Sequence, residues 1–117
     1  MFIRNIPHET ALALESLVTV LPGQIVSRTL AQNGAVSLTL FAFDADTEIS
    51  THASEGDAMV TVLTGSCRYT VDGTPHLLHA GETMVMPAGK PHAVYAPEAC
   101  KWLLTVVFPY GEQATEH

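Results

Sequence analysis

The sequence predicts an all-β fold, an antiparallel sandwich or barrel in a single domain. About nine short apolar stretches rich in β-branched and aromatic residues follow one another at near-regular spacing. Turn signals made of Gly, Pro, Asn and Asp separate these stretches, and no long helical periodicity appears. The chain has 117 residues, which is the length of one domain with one substantial core.

The first half of the chain supplies an arm and four strands. Residues 1–20 combine helix-favouring Ala and Leu with a β-branched ending, so we predict an arm with one helical turn. The barrel then occupies residues 21–110, and its first hairpin turns at Asn33-Gly34. Val36, Leu38 and Leu40 alternate with other residues and share one face of their strand. The predicted strands are Gln24–Leu30, Ala35–Phe43, Thr47–Ser50 and Ala58–Leu63.

The second half supplies five more strands and a polar tail at residues 111–117. Asp72-Gly73 is the strongest two-residue hairpin signal in the chain. His76 and His79 stand at an odd spacing on the strand after it, so at most one of them faces inward. The predicted strands are Ser66–Val71, Thr74–His79, Thr83–Met86, His92–Tyr95 and Cys100–Phe108.

Composition limits the partners of the protein. Five Lys and Arg against 12 Asp and Glu give a net charge of 5 − 12 = −7, which opposes nucleic acid and anionic membrane surfaces. No apolar run reaches the length of a membrane span, and charged residues interrupt residues 1–20, so we expect a cytoplasmic protein. Hydrophobic residues make up 47% of the chain and charged ones only 15%. That balance predicts a homodimer, and Cys67 and Cys100 are expected to be buried thiols.

The stretch from Gly81 to His92 carries the clearest local signal. A short apolar strand is followed by Pro87-Ala-Gly89, where proline fixes φ and glycine accepts a positive φ. Pro91 keeps Lys90 extended. The sequence therefore predicts a rigid corner that places His92 at the start of the next strand.

These residues resemble the two motifs of the cupin superfamily. Gly81-x5-Pro87-x-Gly89-x2-His92 matches the second motif, although Ala96 stands where that pattern ends in asparagine. Residues 52–65 are similar to the first motif, His-x-His-x3or4-Glu-x6-Gly. His52 and Gly65 match it, whereas Ser54 replaces the second histidine and Ala58 replaces the glutamate. The resemblance implies a cupin jelly-roll barrel of the small, single-domain type.

In cupins the two motifs bring three histidines and one glutamate to a divalent metal inside the barrel. Carried over by position, only His52 and His92 remain in this chain. The resemblance thus implies an incomplete site for iron, manganese, nickel, copper or zinc, or a barrel without metal. Asp57 is the nearest carboxylate. Within a strand it points away from the site, and within a loop it can turn inward as a third ligand.

Two functions follow from this resemblance. The first is metal-assisted chemistry, of the oxygenase or isomerase type, on a small organic molecule held in the barrel. The second is a metal-free, non-catalytic barrel that binds or senses a small molecule. In both cases the interior pocket is expected beside Ser54, Ala58 and Ala96. The large Tyr69 and Trp102 side chains are expected to serve packing first.

Overall fold

Two antiparallel sheets packed face to face form the protein, in a computed structural model that describes residues 2–109. The predicted all-β fold is confirmed, with nine strands. The five-stranded sheet has the order β1-β2-β9-β4-β7, and the four-stranded sheet has the order β3-β8-β5-β6. The strands are β1 Ile25–Gln32, β2 Val36–Phe43, β3 Glu48–His52, β4 Asp57–Thr64, β5 Ser66–Val71, β6 Thr74–His79, β7 Thr83–Met86, β8 His92–Tyr95 and β9 Cys100–Val107.

The main core lies between the two sheets. Alternate residues of each strand point into it, as the two-residue period of a strand requires. Tyr69 of β5 and Trp102 of β9 meet edge to face across the sandwich, with ring centroids 5.3 Å apart. Phe41 and Phe43 of β2 also contact the Trp102 ring. Cys67 and Cys100 are buried, free thiols in the same core, as expected.

A second core lies on the opposite face of the five-stranded sheet. Leu40 and Ala42 of β2 point there, together with Leu30 of β1. The N-terminal arm covers them with Val18 and its neighbours, among them a 3-10 helix at Leu14–Leu17. The face that Val36, Leu38 and Leu40 share is therefore the arm-covered face, and on its other face β2 contributes Phe41 and Phe43 to the main core.

The predicted turns occur where the sequence places them. β1 and β2 are joined through residues 33–35, and β5 and β6 through Asp72 and Gly73, whose φ values are 51° and 86°. Two successive positive φ values are what a tight two-residue hairpin needs. The predicted polar tail at residues 111–117 lies outside the described residues. Among residues 2–109, no helix has the length and apolar character required to cross a membrane.

Only glycine fits at position 65, which is the last position of the first motif. Gly65 adopts a φ of +70° at the tight connection between β4 and β5. A Cβ atom built on it would lie 2.2 Å from the backbone oxygen of Ala99 and 3.2 Å from the Cα of Cys100. This connection therefore excludes a side chain on both conformational and steric grounds.

We expect Gly65→Ala to destabilise the fold more than Gly73→Ala. Both residues have positive φ, so both substitutions carry a backbone cost of about 1 kcal/mol. Only at Gly65 does the new methyl group meet backbone, which adds roughly 2 kcal/mol of overpacking, because no atom lies within 4 Å of the Cβ built on Gly73. Urea unfolding of both variants measures the difference, and equal losses would show that the Ala99 contact relaxes freely.

Candidate functional site

The structure brings His52 and His92 together at one end of the sandwich. They lie opposite each other in the β3–β8 pair, at the last residue of β3 and the first of β8. Their Nε2 atoms are 3.0 Å apart, and the ring centroids are 4.3 Å apart. His92 is only 4% exposed, whereas His52 is exposed, so the pair sits where the interior meets solvent.

An irregularity in β3 makes this meeting possible. Ile49 packs against the main core and pairs with Val94, and His52 pairs with His92. Between these two pairs, Ser50 and Thr51 of β3 lie opposite the single residue Ala93 of β8, so β3 contains one extra residue. In a regular strand, residues three apart face opposite sides. The irregularity returns His52 to the face that Ile49 occupies, and both side chains reach the interior edge.

Both rings are oriented by backbone oxygens. The Nδ1 of His52 lies 3.0 Å from the carbonyl oxygen of Ser50, and the Nδ1 of His92 lies 3.2 Å from that of Lys90. A carbonyl oxygen only accepts hydrogen bonds, so each of these contacts is a hydrogen bond in the tautomer that carries its proton on Nδ1. When both rings are in that tautomer, their Nε2 atoms present lone pairs to each other at 3.0 Å. The two lone pairs repel each other. A cation between them, either a metal ion or a proton, is attracted to both and removes this repulsion.

The environment keeps the buried ring of the pair neutral. Burial lowers the pKa of His92, and the neighbouring His52 lowers it further, while the Lys90 carbonyl acts in the opposite direction. A neutral imidazole is the form that binds a metal ion. Its Nδ1–H bonded to a backbone oxygen is the arrangement that orients histidines in metal sites.

The corner that precedes His92 is held by the loop that follows His52. The Gly89 amide donates to the Ser54 carbonyl oxygen at 2.9 Å, and the Ala88 amide donates to Oδ1 of Asp57 at 2.8 Å. Gly89 has a φ of +80°, the conformation predicted for this turn. The two motifs are thus bonded to each other directly, and this bonding fixes where β8 begins.

Asp57 follows the strand alternative, in which it points away from the histidine pair, and its role as a third metal ligand stays a prediction. It is the first residue of β4, and alternation directs it away from the core that Ala58 enters. Its carboxylate accepts the Ala88 amide instead. Across residues 2–109, no three His, Cys, Asp or Glu side chains gather as a metal-binding group. Asp57 is a positioning residue for the corner that carries His92.

The other expected pocket residues have different surroundings. Ala58 and Ala96 are 1% and 0% exposed and belong to the main core. Ser54 is half-buried, and its Oγ accepts the Gly56 amide at 3.2 Å. Four surface clefts bounded by described residues include neither His52 nor His92. A pocket beside these three residues therefore stays a prediction.

Two polar atoms in the core, the Tyr69 hydroxyl and the Trp102 Nε1, are buried. Neither has a hydrogen-bond partner of good geometry among residues 2–109. Burial raises the pKa of Tyr69, with the Cys67 thiol contributing, so the phenol keeps its proton. Tyr69 pairs with Val94 and His92 with Val71 on the same inward face, so Tyr69 and His92 are diagonal neighbours. Sequence alternation alone did not identify these unsatisfied groups.

Comparisons with known proteins agree on the fold. The model of the family described as "Cupin domain" matches residues 39–108. A conserved protein of unknown function from Streptococcus pyogenes is 44% identical, with a TM-score of 0.92 over 95% of this chain and 97% of that one. A cupin superfamily protein from Desulfitobacterium hafniense is 29% identical, with a TM-score of 0.86 over 91% and 97%.

A more distant match shows the fold alone. Salicylate 1,2-dioxygenase from Pseudoaminobacter salicylatoxidans is 19% identical, with a TM-score of 0.68, over 83% of this chain and 28% of that one. No curated protein matches the chain.

The role of Asp57 predicts different outcomes for two substitutions. Asp57→Asn keeps an oxygen that accepts the Ala88 amide, so the free energy of unfolding and the binding of Ni²⁺ should stay close to those of the native protein. Asp57→Ala leaves this amide without its partner, so we expect a loss of about 1 kcal/mol and weaker Ni²⁺ binding. Urea unfolding and calorimetric titration with Ni²⁺ measure both. Loss of binding in Asp57→Asn with an intact fold would mean that the carboxylate charge itself contacts the ion.

Proposed function

The chain belongs to the cupin family, and we propose that it binds a divalent transition metal at His52 and His92 for metal-assisted chemistry on a small molecule. One observation carries this proposal, namely the two Nε2 atoms 3.0 Å apart with both Nδ1 atoms bonded to backbone oxygens. Two nitrogens each about 2.0–2.1 Å from one ion lie at most about 4.2 Å apart, so the observed separation suits adjacent ligands on a shared ion. The donor set therefore fits a metal ion.

The residues have separate parts in this function. His52 and His92 would hold the ion as neutral imidazoles, and the Ser50 and Lys90 carbonyl oxygens orient the two rings. The ion would supply the Lewis-acid or redox chemistry that isomerases and oxygenases use on small molecules.

The ligand in this proposal is small and mainly apolar, with one oxygen that accepts hydrogen bonds. The core beside His92 is built from aliphatic and aromatic side chains. Its unsatisfied groups are the Trp102 Nε1, which only donates, and the Tyr69 hydroxyl, which donates or accepts. Apolar walls with a few convergent polar atoms are typical of small-molecule sites. Ser54, Ala58 and Ala96 add small side chains where this ligand is expected.

A second candidate function is metal-free binding of a small molecule without catalysis. The observation that favours it is the absence, within the described residues, of a third side chain able to complete the metal site. Ala58 takes the place of the carboxylate in the motif, and Asp57 is engaged with Ala88. The cytoplasmic location inferred from the sequence stays a prediction under either function.

We expect the native protein to bind about one divalent ion per chain, with affinity rising from Mn²⁺ through Fe²⁺ and Ni²⁺ to Cu²⁺. His52→Ala and His92→Ala should each weaken binding at least 10-fold, because each removes one of two protein ligands. His76→Ala is the matched control, since His76 is an exposed histidine on β6, away from the pair. Isothermal calorimetry with each metal salt measures the affinities. A native protein that binds none of these ions, Zn²⁺ included, would refute the metal function.

The metal-free function is tested on the same proteins. The chain has a single tryptophan, so its fluorescence reports on the core around Trp102. After removal of metal by a chelator, we expect benzoate or benzamide to shift this emission in the native protein if the second function holds. The shift should persist in the His52→Ala/His92→Ala double variant. Binding that needs both an added metal ion and both histidines supports the first function instead.

A further inference from the structure

One side of the sandwich is open between the strands β6 and β7. β6 is the last strand of the four-stranded sheet and β7 is the last strand of the five-stranded sheet, so within residues 2–109 each has one free edge. A cleft of about 460 Å³ lies on this side, a volume that is typical of small-molecule sites. A second cleft shares His76 and Met84 with it. The two clefts together form a groove with β6 on one wall and β7 on the other.

The register of the strands shows that this groove opens into the space between the two sheets. His76 lies opposite Tyr69, and Met84 lies opposite Val60. Residues that lie directly opposite each other in an antiparallel pair share a face. Tyr69 and Val60 are both 0% exposed in the main core, so His76 and Met84 also face inward. His76 is nevertheless exposed, so the inner face of β6 is open to solvent at this point.

The larger cleft borders the proposed metal site. Val71 lines the cleft and is the register partner of His92 on the neighbouring strand. Val71 and Met84 both pack against the main core, so they form an apolar wall. Lys90 also lines the cleft, and its carbonyl oxygen is the one that orients the His92 ring. A molecule bound here would therefore lie beside the residues that contact the buried histidine.

The charged groups of the cleft favour an anion. Lys90 and His76 can carry positive charge, whereas Asp72 is the only acid among the lining residues. The Lys90 Nζ lies 3.7 Å from Oδ2 of Asp72, which is too far for a hydrogen bond. Both side chains are more than half exposed, so this ion pair is weak. The three donors of the Lys90 ammonium group can therefore bind an incoming carboxylate at little cost.

We propose that this cleft binds a small, mainly apolar carboxylic acid, and that Lys90 selects its charge. The carboxylate accepts hydrogen bonds from the Lys90 ammonium group, and the apolar part of the molecule lies against Val71 and Met84. The chain as a whole repels anions, with a net charge of −7, so the affinity for a carboxylate depends on this local cation. The inference rests on the proposed function and names its class of substrate.

The first test compares benzoate with benzamide, its neutral counterpart, by amide chemical-shift titration of the metal-free and the Zn²⁺-loaded protein. We expect benzoate to bind about 10-fold more tightly and to shift the amides of Val71 and Met84 most. Lys90→Met should remove this preference. Arg68→Met is the matched control, because it removes the same charge from the outward face of β5. Equal binding of the two probes, tighter binding of benzylamine, or an equal effect of Arg68→Met overturns the proposal.

A substitution at Asp72 should change the affinity in the opposite direction. Asp72→Asn removes the carboxylate that competes for the Lys90 ammonium group. Asparagine also tolerates the φ of 51° at this turn, so the hairpin should stay intact. We expect benzoate to bind about 3-fold more tightly and benzamide to bind as before. An unchanged or lower affinity for benzoate contradicts the role of Lys90.

A filled cleft separates this proposal from the metal function. His76→Trp places a large ring on the inward face of β6 and should abolish the binding of both probes. Leu77→Trp is the control, since Leu77 is 51% exposed and faces outward on the same strand. Both variants should bind Ni²⁺ like the native protein in calorimetry, and thermal melting confirms that each is folded. A native protein that binds Ni²⁺ but neither probe overturns the cleft alone, whereas one that binds benzoate through Lys90 but no metal ion overturns the metal function alone.

Discussion

The five-stranded sheet contributes to two hydrophobic cores, one on each of its faces, and the rest of the structure follows from this constraint. Its inner residues, such as Phe43 and Trp102, fill the space between the sheets. Its outer residues, such as Leu40 and Ala42, are buried under the N-terminal arm. A strand with a core on each side needs apolar side chains on both faces, and six of the eight residues in each of β2 and β9 are apolar. The high hydrophobic content of a small chain thus reflects two burial surfaces on one sheet.

Much of the fold could be predicted from the sequence because turns and alternation are local properties. Asp72-Gly73 determines its hairpin through two positive φ values, and the nine strands follow between such turns. The exact orientation of Asp57 was not predictable, since it depends on whether β4 begins one residue earlier or later. A shift of one residue exchanges the two faces of a strand. The structure begins β4 at Asp57, which turns the carboxylate outward.

The histidine pair was predicted from two motifs, but its geometry was not. His52 reaches the interior edge only because β3 holds an extra residue after Ile49, and no local turn signal marks that irregularity. The Nδ1 contacts with the Ser50 and Lys90 oxygens likewise depend on the paths of two separate strand ends. The Tyr69 and Trp102 polar atoms were missed for a related reason. Alternation indicates which side chains are buried, whereas only the three-dimensional structure shows which buried polar atoms lack a partner.

Asp57 connects the two motifs of the proposed metal site. It is the first residue of β4, and its carboxylate accepts the Ala88 amide in the corner that places His92. The Ser54 carbonyl oxygen accepts the Gly89 amide of the same corner. The segment that follows His52 therefore determines, through these two hydrogen bonds, where the buried histidine lies relative to His52.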